Sequence, residues 1–218
     1  MHFLLTVLCC IFLFPFDANA NFITFKSANA PEKFTLHELP KPPPAAAFFD
    51  EKGNETHFND FAGKIVLVNV WSKACAQCIV ELPMLDALQK SFGTMKFKVV
   101  TLSVGKESAG QLSHFFAQKK LKNLRPYLDS KSQAALAAGV IGLPTTLLLN
   151  EKGEEIGRIR GIAEWTSPTI KAQIRELIRD LKEKEEENRR QKEYEKDSAF
   201  VQNQPPLKRE TVLQWFKK

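Results

Sequence analysis

The stretch Ile65-Val66-Leu67-Val68-Asn69-Val70-Trp71-Ser72-Lys73-Ala74-Cys75-Ala76-Gln77-Cys78 joins two unlike patterns. Residues 65–71 are apolar on both faces, as in a central strand covered by helices on each side. From Ala76 to Phe92 the apolar residues Ile79, Leu82, Leu85, Leu88 and Phe92 recur near a period of 3.6, which predicts a helix. Cys75 and Cys78 therefore open that helix, where positions i and i+3 share a face and meet disulfide geometry with little backbone movement. Cys75, nearest the helix N-terminus, feels the positive end of the macrodipole and loses its proton more readily. Cys78, one turn deeper, is placed to attack a mixed disulfide and release it. On these residues alone the pair can be a redox dithiol, half of a zinc site or a structural staple.

Working outward, Asn21 to Pro44 reads as a poorly structured lead-in, closed by Pro40, Pro42, Pro43 and Pro44. The segments 46–50 and 55–58 flank the turn sequence Glu51-Lys52-Gly53-Asn54 and predict a hairpin. Downstream of the first helix, a buried strand is expected over 97–104, a helix over 108–120, a short strand over 126–128 and a short helix over 131–138 ended by Gly139. Strands over 145–149 and 155–160 flank Asn150-Glu151-Lys152-Gly153, a second hairpin signal, and a helix from about Ser167 closes the set. The fold class is α/β: a central mixed sheet sandwiched by helices, with an N-terminal β-hairpin and a charged helical C-terminal extension. The element order is that of the thioredoxin fold.

With 218 residues, 44% of them hydrophobic, and 17 Phe, the chain has material for one core and a little more. Its formal charge of +6 is spread among interleaved acids and bases, so nucleic acid is not expected as a partner. The apolar run from Phe3 to Phe16, followed by Ala18-Asn19-Ala20, reads as a signal peptide over 1–20 that is cleaved before Asn21, the alternative being an uncleaved anchor. Cys9 and Cys10 leave with that segment, and Cys75 and Cys78 remain as the thiols of the mature protein. In an oxidising compartment such a lone pair reads as a working redox couple.

The span 45–181 resembles the TlpA/ResA/DsbE (CcmG) branch of the thioredoxin superfamily, exported or membrane-tethered bacterial thiol-disulfide oxidoreductases. Three features carry the resemblance in order: Val68-Asn69-Val70-Trp71-Ser72 leading into Cys75 and Cys78; Glu81-Leu82-Pro83, like the family's C-x-x-C-x-x-E-x-P; and Val140-Ile141-Gly142-Leu143-Pro144-Thr145-Thr146, like its cis-proline loop. The resemblance implies that Pro144 is cis and lies against the dithiol, presenting the backbone of Leu143 to an extended client segment. The catalytic set is then Cys75, Cys78, Glu81 and Pro144, with Leu143 and Trp71 as substrate-binding residues; Trp71, an aromatic ending a buried strand, reads equally as core packing. Ala74 stands where the family usually has Trp and Gln77 where it has Pro, so the reduction potential is not carried over with the motif.

Glu81 lies three residues beyond Cys78 on the same helix. Buried there, its carboxyl would rise in pKa by desolvation and exchange a proton with Cys78. No cofactor is expected beyond the Cys75–Cys78 couple, and no metal. The resemblance implies as function the extracytoplasmic, periplasmic reduction of client disulfides in cytochrome c or copper-site maturation. It implies as partners client proteins with thiols or disulfides and a membrane electron carrier that re-reduces the enzyme. The alternatives are a copper-binding chaperone, a redox-inactive interaction module on the same fold, and a peroxidase in which Ser72 precedes Cys75. Residues 182–218 form a charged tail with i,i+4 pairs such as Glu185 with Arg189, ending in the apolar segment Val212-Leu213-Gln214-Trp215-Phe216. That segment is either a helix end folding back on the domain or a docking element for a partner or membrane surface.

Overall fold

The computed structural model describes residues 33–202. The segment expected to be a signal peptide, with Cys9 and Cys10, and the apolar end at 212–216 lie outside them. Among the described residues an eight-stranded mixed sheet runs in the order β1-β8-β7-β4-β5-β6-β2-β3. The strands are β1 (Thr35–Lys41), β2 (Phe48–Phe49), β3 (Glu55–Thr56), β4 (Ile65–Trp71), β5 (Phe97–Ser103), β6 (Pro126–Leu128), β7 (Thr145–Leu149) and β8 (Glu155–Arg160). The helices are α1 (Ala76–Phe92), α2 (Ala109–Gln118), α3 (Gln133–Ala137) and α4 (Pro168–Gln202). β4 pairs in parallel with β5 and antiparallel with β7, so both of its edges are occupied and all seven of its residues are buried.

Alternation along β4 divides the core. Ile65, Leu67 and Trp71 face the layer that holds Leu82, Leu85 and Leu88 of α1, Leu112, Phe115 and Phe116 of α2, and Ile170 and Ile174 of α4. Val66, Val68 and Val70 face Phe48, Phe58, Tyr127 and the alanines of α3. The two-residue period places Asn69 on the first face, beneath α1 and α4. The hairpin expected around Gly53 is β2–β3, and it attaches through Phe49 to Leu128 at the far edge of the sheet.

The lead-in requires a correction. Residues 35–41 are not unstructured; they form β1, antiparallel to the open edge of β8, with Thr35 opposite Arg158 and Leu36 opposite Gly157. Local sequence hides this because Leu36 and Leu39 remain exposed and Pro40 breaks the pattern. An edge strand tolerates Pro because one row of its amides has no ladder partner. Gly157 makes the approach possible: a Cβ there would lie 2.8 Å from the carbonyl oxygen of Thr35.

The last helix continues past Leu181 without interruption. Lys96 pairs with Glu185 at 2.5 Å and Lys184 with Glu151 at 3.4 Å, both beside Gly63, at the pole where β4 begins. The dithiol follows the other end of β4. The charged helix thus leaves from the pole opposite the cysteines, and its residues beyond Asn188 extend for about 20 Å at the usual helical rise.

Candidate active site

β4 ends at Trp71, and a tight turn follows in which Ser72 Oγ accepts the Ala74 amide at 3.2 Å and the Ser72 carbonyl accepts the Cys75 amide at 3.0 Å. That turn delivers Cys75 to the N-cap of α1, in extended conformation, where its Sγ accepts the backbone N–H of Cys78 at 3.2 Å. The two cysteines are joined as a disulfide with a Cα separation of 5.3 Å. Cys75 is half-buried, whereas Cys78 has no exposed surface. A client can therefore reach the first sulfur and not the second. Once the disulfide opens, the same N–H and the helix N-terminus favour the thiolate of Cys75. The Lys73 ammonium sits 5.8 Å above the Phe115 ring.

Glu81, in the second turn of α1, is wholly buried. Its Oε1 accepts the Ala163 amide at 2.7 Å and the Trp165 indole N–H at 2.8 Å, both from the segment between β8 and α4. Burial pushes its carboxyl up to about 7, with the hydrogen bonds from Ala163, Trp165 and Asn69 opposing that rise. A group that titrates near neutrality one turn from Cys78 is suited to exchange a proton with it.

The loop before β7 reaches the same end of the sheet. Register pairs Val70 with Thr145, so Pro144 arrives beside Trp71, at the strand end from which the cysteine turn departs. The Leu143–Pro144 bond is cis, Thr145 Oγ1 donates to the Gly142 carbonyl at 2.7 Å, and the Gly161 amide donates to the Pro144 carbonyl at 2.8 Å. Pro144 is buried and Leu143 half-buried, while Ile141 is 92% exposed at the crest of the loop.

One substrate-binding assignment is overturned. Trp71 has no exposed surface and stacks with Phe115 and Phe116 at centroid distances of 5.9 and 5.8 Å, so it packs the core and cannot touch a client. Its position as the last residue of a strand left both roles open, and burial decides between them.

Several supporting residues carry no motif. Arg158 of β8 forks onto Glu155 with two bonds of 2.6 Å and donates to the carbonyls of Ala138 at 3.0 Å and Gly139 at 3.3 Å, pinning the chain just ahead of the Pro144 loop. His37 of β1 meets the same carboxylate at 2.7 Å. Burial pushes Glu155 up, but the bonds from Arg158 and His37 outweigh it and hold the carboxyl below its ordinary value. Trp165 and Ala163, which hold Glu81, lie more than 80 residues from it and follow no local pattern. Among the described residues no three His, Cys, Asp or Glu side chains gather as a metal site would require.

Comparison with known proteins accounts for this arrangement. The Redoxin family profile matches residues 30–174, a span that begins ahead of β1 and ends within α4. The chain belongs to the Redoxin family. ResA, a thiol-disulfide oxidoreductase of Bacillus thuringiensis, is 26% identical over 140 residues, 64% of this chain and 79% of the relative. HelX, a thiol:disulfide interchange protein of Rhodobacter capsulatus, is 32% identical over 113 residues, 50% of this chain and 61% of the relative. A thiol:disulfide interchange protein DsbE structure from Chlorobium tepidum superposes with a TM-score of 0.54 at 22% identity, covering 67% of this chain and 99% of that one. The exposed lipoprotein thioredoxin Etrx1 of Streptococcus pneumoniae gives 0.52 at 23% identity, covering 61% and 98%. This Redoxin-family chain is a thiol-disulfide oxidoreductase of thioredoxin-like fold.

Proposed function

We propose that the enzyme acts outside the cytoplasm as a reductant of specific client disulfides, with Cys75 as nucleophile, Cys78 as resolving thiol and Glu81 as proton acceptor. The Cys75 thiolate attacks a client disulfide, one client sulfur leaves as thiolate, and a mixed disulfide remains. Glu81 then takes the proton of the Cys78 thiol, the Cys78 thiolate attacks Cys75 Sγ, and the second client sulfur leaves. The client gains two electrons and the enzyme ends as its Cys75–Cys78 disulfide. The observation that carries the proposal is the asymmetry of the pair: a reachable sulfur at the helix N-cap, a buried one behind it, and a buried carboxyl that titrates near 7 on the next turn. Leu143 and Pro144 support it by lying at the same strand end, where an extended client segment could align.

The working direction requires re-reduction, for which a membrane electron carrier is the proposed source. The apolar segment 3–16 and the small residues after it support export to the periplasm. Among the described residues no helix is long and apolar enough to cross a membrane. The proposed clients are proteins of cytochrome c or copper-site maturation. Trapping with Cys78→Ser in the native host tests the proposal: mixed disulfides through Cys75 with such proteins are expected. A midpoint potential well above that of the compartment's general oxidant would overturn the reductant assignment.

A further inference from the structure

The indole that donates to Glu81 is itself backed from behind. Trp165 has no exposed surface, and its ring meets that of Phe34 with centroids 6.0 Å apart and planes tilted by 49°, within the range of packed aromatic pairs. Phe34 is 3% exposed, although it belongs to the lead-in and its neighbours Lys33 and Thr35 both face solvent. Its position is fixed at three points. The Phe34 amide donates to Gln173 Oε1 of α4 at 3.1 Å, Thr35 enters the β-ladder opposite Arg158, and the ring joins the core layer that holds Ala163, Ile170 and Ile174.

The segment it supports has little framework of its own. Residues 161–167, between β8 and α4, are in neither strand nor helix, yet they supply both donors to Glu81 Oε1, Ala163 at 2.7 Å and Trp165 at 2.8 Å. An indole reaches its acceptor through rotatable side-chain torsions, so the atoms packed behind the ring decide which rotamer persists.

We propose that Phe34 is a positioning residue of the redox site: its ring wedges Trp165 onto Glu81, which makes the lead-in ahead of β1 part of the machinery that resolves the mixed disulfide. Removing the ring leaves a cavity into which the surroundings collapse only partly. The indole then draws back from Oε1, and Glu81 loses one of the two bonds that aim it from the turn beyond Cys78. Misplacing a reacting group by about 1 Å can cost about a hundredfold in rate. Cys75 is insulated from this, because its supports are the Cys78 amide and the Ser72 carbonyl at the N-cap of α1. The effect is therefore confined to resolution and spares the first attack. A domain boundary at Ala45 would cut away a residue on which the site depends.

This inference rests on the proton-handling role proposed for Glu81, and the test separates the two. The reduced full chain is mixed with a small excess of dithiobis(nitrobenzoate) in a stopped-flow instrument near neutral pH. One nitrothiophenolate leaves as Cys75 attacks, at a rate proportional to reagent concentration; the second leaves as Cys78 resolves, at a rate independent of it. Phe34→Ala should slow the second phase about tenfold and leave the first within about twofold, and Phe34→Leu, which refills most of the space, should recover most of the loss. Gln173→Leu removes the backbone anchor, slows the second phase in the same sense, and serves where Phe34→Ala does not fold. Phe58→Leu, a comparable loss in the other core layer, should leave the ratio of the phases unchanged. By NMR, the Trp165 indole N–H resonance, identified by its loss in Trp165→Phe, should move upfield and exchange faster in Phe34→Ala. An unmoved indole resonance, or phases that change together, overturns the positioning role and leaves that of Glu81 standing. A second phase unaltered in Glu81→Gln overturns the role of Glu81, and Phe34 then has no reacting group to position.

Discussion

The indole N–H of Trp165 meets Glu81 Oε1 at 2.8 Å, tying the first turns of the cysteine helix to a segment 84 residues later in the chain. Trp165 in turn packs against Phe34, with centroids 6.0 Å apart, so the residue just ahead of β1 backs the same carboxyl. Trp165→Phe keeps the aromatic contact and removes the donor. A hydrogen bond to the charged form favours ionisation, so its loss should lift the Glu81 midpoint above about 7 by roughly one unit, read as an alkaline shift of the Glu81 carboxyl band in an infrared titration.

Glu81 also writes a pH dependence into stability. Its ordinary value of 4.5 applies to the unfolded chain and about 7 to the folded one. Between those values the folded state holds a proton that the unfolded state has lost, so stability should fall as pH rises through that window and level off above it. The full effect is about 3 kcal/mol. In the oxidised form, Glu81→Gln should remove the slope and be the more stable protein at about pH 8, as measured by urea unfolding at several pH values.

Arg158→Ala leaves Glu155 buried without its fork and frees the carbonyls of Ala138 and Gly139. Breaking one side of such a pair costs about 3–5 kcal/mol. Chemical denaturation should show that loss, and hydrogen exchange should show faster opening at 138–143, because the clamp holds the approach to the Pro144 loop.

Ile141 stands 92% exposed beside Leu143, an apolar side chain that nothing among the described residues covers. Ile141→Asp should leave reduction of a small aromatic disulfide within about twofold and lower kcat/KM on a protein client by about tenfold, with stability unchanged. Equal rates on both substrates would show that the loop crest takes no part in client binding.

The charged end of α4 should be dispensable for folding. Past Leu181 it meets the domain through Lys96–Glu185 and Lys184–Glu151, and exposed pairs of this kind are worth about 0–1 kcal/mol each. Removing residues after Glu187 should barely move the unfolding midpoint and spare activity on small disulfides. Slower reduction of the physiological client by the same variant would assign the tail to docking.

The legible part of this protein was the part written in short-range patterns. The run 65–71 announced a central strand, the 3.6 period from Ile79 to Phe92 announced α1, and the turn sequences at Gly53 and Gly153 announced hairpins. Such signals work because side-chain direction repeats with the backbone, so burial on one face leaves a periodic trace. β1 left none: its pairing depends on a free edge of β8 and on Gly157, more than 110 residues away, and its own apolar residues stay in solvent. Trp71 was ambiguous for a related reason. A strand end can point an aromatic ring into the core or over a site, and only the arrival of Phe115 and Phe116 settled it.

By itself, the sequence determined that two thiols one helical turn apart begin a helix after a buried strand, with an acid one turn further on. Spacing along a helix is a local property, and it fixes which groups share a face. The tertiary structure decided what those groups are. Cys75 is reachable and Cys78 is not because α1 packs its inner face against the sheet. Glu81 titrates near neutrality because Ala163, Trp165 and Asn69, from two other parts of the chain, enclose it without supplying a counter-charge. Desolvation and hydrogen bonding are sums over neighbours in space, and the chain does not reveal those neighbours until it is folded.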